Sequence, residues 1–135
     1  MVRGPSNTVV VSGSTETFTC VTSLATDRLC WLRVERHDST WRWIHVCSPV
    51  GCRHPRYSVH ASVQNRLRRH SLMIDSCNAT DSGLYGCAEC RTAGDTRRTA
   101  HLVVIGTLSA LIFKHIVRNV LRPTAYSCSM LYIRY

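Results

Sequence analysis

The sequence predicts an all-β fold in which two antiparallel sheets pack face to face as a sandwich with Greek-key connections. Three observations carry that reading. Short runs rich in Val, Thr, Trp and Tyr alternate with polar breaks as far as residue 105, the pattern of sandwich strands and their turns. A length of 135 residues is enough for one hydrophobic core and not for two. Eight cysteines point to a disulfide framework and an oxidising compartment.

The strands follow in order. Thr8–Val11 is a β-branched run closed by the turn Ser12-Gly13-Ser14. Glu16–Thr22 alternates and sets Phe18, Cys20 and Thr22 on one face. Leu29–Arg36 and Trp41–Cys47 form a hairpin around the polar stretch His37–Thr40. Tyr57–Val59 and Ser71–Asp75 read as a further pair, and Gly83–Cys90 with Thr99–Ile105 complete the set. No internal repeat or low-complexity tract interrupts them.

The ends differ in character. Residues 1–5 read as an N-terminal extension, and Met1–Ser6 has no apolar signal core. That sits against the extracellular setting the cysteines imply, and the cysteines take precedence. Residues 106–135 read as a separate tail, helical or disordered. Its apolar run Leu102–Phe113 is shorter than the ~20 residues a membrane span requires. Extension to Leu121 brings in Lys114, His115 and Arg118, so a membrane anchor here would be atypical.

One constellation narrows the fold. Cys20, Trp31 and Cys87 have the Cys…Trp…Cys order of an immunoglobulin sandwich, and Tyr85 stands two residues before the second cysteine. With Phe18-Thr19-Cys20, Cys30-Trp31-Leu32-Arg33, Arg56–Val59, Ser71–Ile74 and Asp81–Cys87, the chain resembles the V-set immunoglobulin family over residues 6–105. The resemblance implies an immunoglobulin-like β-sandwich of V type. It also implies a Cys20–Cys87 bond stapling the sheets, Trp31 packed on that bond, and a tyrosine corner at Tyr85. An Arg56–Asp81 salt bridge would close one end. Thr99–Val104 lacks the Phe-Gly-x-Gly of antibody and T-cell receptor V domains. In this the chain looks more like the V domains of innate immune receptors.

The other cysteines follow from alternation within that frame. With Trp31 and Cys87 facing inward, Cys30 and Cys90 share the outer face, where a second bridge would tie two loops together. Cys77 is expected to be a free thiol in the core. His45, Cys47, Cys52 and His54 include two thiols and two imidazoles, a set able to hold zinc. A small Cys47–Cys52 disulfide needs no metal and is the expectation, so neither a metal nor a cofactor is predicted.

No nucleophile elbow, phosphate loop, dinucleotide fingerprint or zinc-protease motif is present, and the chain reads as a binding protein and not an enzyme. Its formal net charge of +9 favours acidic partners. Asp27, Arg28, Arg91, Arg97 and Arg98 fall in the loops at the end opposite Asp81, near residues 24–28 and 91–98, with 47–54 as a third loop. Leu32, Val34 and Ala88 face outward on the front sheet, beside Gly86 and Trp41–Val46, as a surface for dimerisation or for the tail to cover. Arg66–His70 is the densest basic cluster; Arg66–Arg69 is expected to be a solvated face and His70 a surface residue, the alternative being a grip on sulfated glycan or phosphate. Nucleic acid is not an expected partner, because no aromatic platform interleaves with the arginines. Asn78-Ala79-Thr80 is a glycosylation sequon in an exposed turn. The expected function is extracellular recognition of an acidic protein or glycan by a secreted or cell-surface protein of immune-receptor type. The alternative is an adhesion module that pairs through its front sheet.

Overall fold

A computed structural model describes residues 3–90 and 97–106; the tail assignment and Arg91 lie outside them. Among the described residues the strands are β1 (Thr8–Val11), β2 (Glu16–Ser23), β3 (Leu29–His37), β4 (Thr40–Ser48), β5 (Gly51–Cys52), β6 (Tyr57–Gln64), β7 (Leu67–Ile74), β8 (Gly83–Glu89) and β9 (Arg98–Ile105). They form two sheets, one ordered β1-β9-β8-β3-β4-β5 and the other β2-β7-β6. The sandwich expected from the sequence is the one observed. Every strand pairing is antiparallel except β1 with β9, which run parallel. No helix of the described residues is long and apolar enough to cross a membrane.

Alternation places the core. Phe18, Cys20 and Thr22 of β2 are buried with Leu72 and Ile74 of β7. Facing them are Trp31, Tyr85, Cys87, Leu102 and Val104 of the larger sheet. Cys20 is bonded to Cys87 through the centre, and the Phe18 and Tyr85 rings stack with centroids 5.4 Å apart. The Ser12–Ser14 turn needs Gly13, whose φ of +92° is in the region a side chain disfavours. Backbone bonds from Gly13 N–H to Cys77 O and from Cys77 N–H to Ser14 O, 2.7 and 2.8 Å, tie that turn to the segment after β7.

Several details differ from the sequence reading. The β6–β7 hairpin is longer, running through Gln64 and Leu67 around a turn at Asn65 and Arg66 with φ of +53° and +61°. Two positive φ values in succession suit a two-residue hairpin turn. The basic run 66–70 is therefore mostly strand, and His70 is buried, not solvated. The register between β3 and β4 shifts at Trp31/Leu32, and this irregularity turns both Val46 and Cys47 into the core. Arg3, within the stretch read as an extension, exchanges two backbone hydrogen bonds with Val21 at 3.0 and 2.8 Å.

Candidate functional site

At the end of the sandwich that carries Asp81, polar groups form a closed lock. Asn78 caps a single 3-10 turn, Ala79–Asp81, by accepting from Thr80 N–H at 3.0 Å. Asp81 returns the favour by accepting from Asn78 N–H at 2.9 Å. The Arg56 guanidinium meets the Asp81 carboxylate in a fork, Nη1 to Oδ2 at 2.6 Å and Nη2 to Oδ1 at 2.8 Å. Tyr85 donates to Asp81 O at 2.6 Å, and its hydroxyl lies 3.3 Å from that of Tyr57. Burial pushes the Asp81 carboxyl up, but the Arg56 and Asn78 hydrogen bonds outweigh it and hold the acid below its ordinary range. Burial raises the Tyr85 phenol strongly. Arg33, which sequence reasoning did not single out, packs over the Tyr85 ring at 5.4 Å and donates to Ser82 O at 3.0 Å. Each acidic or phenolic group here is spoken for by a structural partner.

The opposite end is tied by the second disulfide, Cys30–Cys90. Cys90 N–H donates to Arg28 O at 3.2 Å, and Thr26 Oγ1 donates to Glu89 Oε1 at 2.8 Å. These bonds hold residues 24–28 against the end of β8 and leave Asp27 and Arg28 exposed. The third disulfide, Cys47–Cys52, closes the β4–β5 hairpin. Its sulfurs are therefore engaged as a disulfide and not as thiolate ligands, and the described residues contain no cluster of three metal-ligating side chains. Cys77 is buried and free, with burial raising its thiol.

On the outer face of the larger sheet the expected apolar patch is rearranged. Leu32 is only 8% exposed, so it is not the open contact residue that alternation suggested. Gly86, paired with Leu32, has no side chain, and the Trp43 ring fills that space. A Cβ on Gly86 would stand 3.1 Å from the ring. Arg97 caps the stack from above, its guanidinium carbon 4.6 Å from the Trp43 centroid. Val34 and Ala88 are half-buried, and Trp41, at 69% exposed, is the large apolar side chain this face presents. Arg98 opens β9 and is not a loop residue; it is exposed, with the base of its side chain lying against Gly4. Trp43 was visible in the sequence as the second member of the alternating Trp41, Trp43, His45 series. Its partnership with Gly86 required the register.

No protein-family model matches the chain, and no curated protein matches it. Among solved structures it is similar to the RIG-5 IG1 homodimer, with a TM-score of 0.61 and 21% identity over 78% of this chain and 94% of that one. It is similar to the first Ig domain of the mouse polymeric immunoglobulin receptor, with a TM-score of 0.61 and 20% identity over 77% and 93%. The NK cell receptor NKp44, a triggering partner in natural cytotoxicity, gives a TM-score of 0.56 and 15% identity over 76% and 99%. The Cys20–Cys87 staple, the Tyr85 corner and the two-sheet order agree with these likenesses, and the fold of this chain is that of an immunoglobulin domain.

Proposed function

We propose that residues 6–105 are a V-set recognition domain of a secreted or cell-surface protein, which binds an acidic protein or glycan with its front sheet and adjoining loops. The observation that carries this reading is the outer face of the six-stranded sheet. Exposed Trp41 stands there beside a Trp43 ring capped by Arg97. Trp and Arg are the side chains most often found at the energetic centre of interfaces. A shallow groove of about 600 Å³ runs along the same face, lined in part by Val34, Arg36, Trp41, Leu84 and His101. The V-set assignment is supported by β4 and β5, which extend the front sheet as the extra strands of variable-type domains do. Three disulfides favour an extracellular setting. Asn78, exposed at the far end from the loops, is a glycan acceptor whose sugar would leave the recognition face open.

An array of acidic and neutral glycans and acidic proteins, probed with the oxidised chain and with an Arg97→Ala/Arg98→Ala variant, tests the reading. The expected result is binding that weakens with salt and is reduced in the variant. Binding to nothing on the array, or binding indifferent to both changes, overturns it. The exposed Trp41 also favours a second reading, an adhesion module that self-associates. A dimer that persists at high salt in sizing chromatography and is abolished by Trp41→Glu would establish that reading instead.

A further inference from the structure

The outer face of the smaller sheet carries a cleft that is separate from the front-sheet site. β2 turns Cys20 and Thr22 into the core, so Val21 faces outward. Val21 has a directly opposite partner on each side, Arg3 through the N-terminal bridge and Arg69 in β7. Residues directly opposite in antiparallel pairs share a face. The row Arg3–Val21–Arg69 thus sets two guanidinium side chains astride one valine, their backbones two strand spacings or about 10 Å apart. Val21 is buried although it faces outward. Gln64 and Asn65, at the β6–β7 turn, and Leu67 complete a cleft of about 240 Å³. No carboxylate lines it. Among the described residues neither Arg3 nor Arg69 takes part in a salt bridge.

We propose that this cleft binds an acidic sugar, one unit of a glycan carrying a carboxylate or sulfate. Two arginines lining the cleft, one on each side of β2, match the planar oxygens of such a group. The Gln64 and Asn65 amides offer both donors and acceptors for sugar hydroxyls. Leu67, beside the buried Val21, supplies the apolar floor on which the C–H face of a sugar ring lies. A bare inorganic anion would use the arginines alone and leave the amides and the floor without a role. The site is built on paired strands and a tight turn, so it is formed before ligand arrives.

The test is an NMR titration of the oxidised, isotope-labelled chain with sialyllactose, a sulfated heparin disaccharide, lactose and sodium sulfate. One or both acidic saccharides should shift the amides of Val21, Gln64, Asn65 and Leu67, and lactose should not. Arg69→Met, on an outer face and checked for folding by near-UV circular dichroism, should weaken that binding roughly tenfold or more. Arg3→Ala should weaken it in the same direction. Shifts of the Trp41 and Trp43 amides in place of these four would assign the binding to the front sheet, which separates this cleft from that reading. The proposal is overturned if neither acidic saccharide shifts these amides, if sodium sulfate binds as tightly as the saccharides, or if Arg69→Met leaves the binding unchanged.

Discussion

Asp81 is 1% exposed and its carboxyl is nevertheless held below the ordinary range, because Arg56 and the Asn78 amide satisfy it. Removing one partner of a buried pair leaves an uncompensated charge, so Arg56→Met should cost about 3–5 kcal/mol in chemical denaturation. A folded-state value depressed below the unfolded one means the unfolded chain takes up the proton first. The contribution is whole above the ordinary carboxyl value of 3.8 and is lost as pH falls through the folded value. His70 behaves differently. Burial first, then the charge of Arg68, lowers its value from the ordinary 6.5, and its Nε2 lies 3.0 Å from Thr22 Oγ1. The unfolded chain binds a proton that the folded chain refuses, so stability should decline as pH drops below about 6.5. In His70→Asn the decline between pH 7.5 and pH 5 should be visibly shallower. An equal slope in wild type and variant would show that other groups govern that range.

Gly86 is the element-scale counterpart, since it lets one strand carry the aromatic of its second neighbour. Gly86→Ala places a Cβ 3.1 Å from the Trp43 ring and should destabilise by about 1–3 kcal/mol. Trp fluorescence should change with it as the ring and the overlying Arg97 shift. A variant with wild-type emission and stability would mean that the ring moves aside without cost. This contact also marks where the sequence stops being legible. Period-two alternation located the strands and put Phe18, Cys20 and Thr22 on one face, because that signal is local; the inward placing of Trp31 and Cys87 came from the resemblance to V-set domains. The bulge at Trp31/Leu32 is a register event between two strands, so the inward turn of Cys47 and the cover over Leu32 had no local signature. The basic run 66–70 concealed a strand for a related reason. Its inward member, His70, is buried by the facing sheet and not by its own hydrophobicity. At the candidate sites the exposed Arg28 and Asp27 were readable as loop residues. Arg97 was readable only as a charge, because its seat on Trp43 comes from strands far apart in sequence.

For the whole molecule the question is how much of the fold rests on its cross-links. Cys20–Cys87 spans 67 residues and contributes about 4 kcal/mol in the chain-entropy model. Cys30–Cys90 spans 60 residues in sequence, but with Cys20–Cys87 already closed the additional loop is short, and its contribution falls to about 3 kcal/mol. Cys47–Cys52, five residues apart, adds about 2 kcal/mol. Their combined effect is as large as the 5–15 kcal/mol by which a domain is normally stable. Full reduction should therefore leave this chain largely unfolded at 37 °C, seen as loss of near-UV circular dichroism and of amide shift dispersion. Removing Cys47–Cys52 alone, by paired serine substitution, should cost least and keep the fold. Nesting supplies a sharper check. Cys30→Ser/Cys90→Ser should be milder when Cys20–Cys87 is intact than when it is also removed, because only then does the second bridge close its full loop. Equal costs in both backgrounds would place the stabilisation in native packing around the sulfurs and not in the restricted unfolded chain.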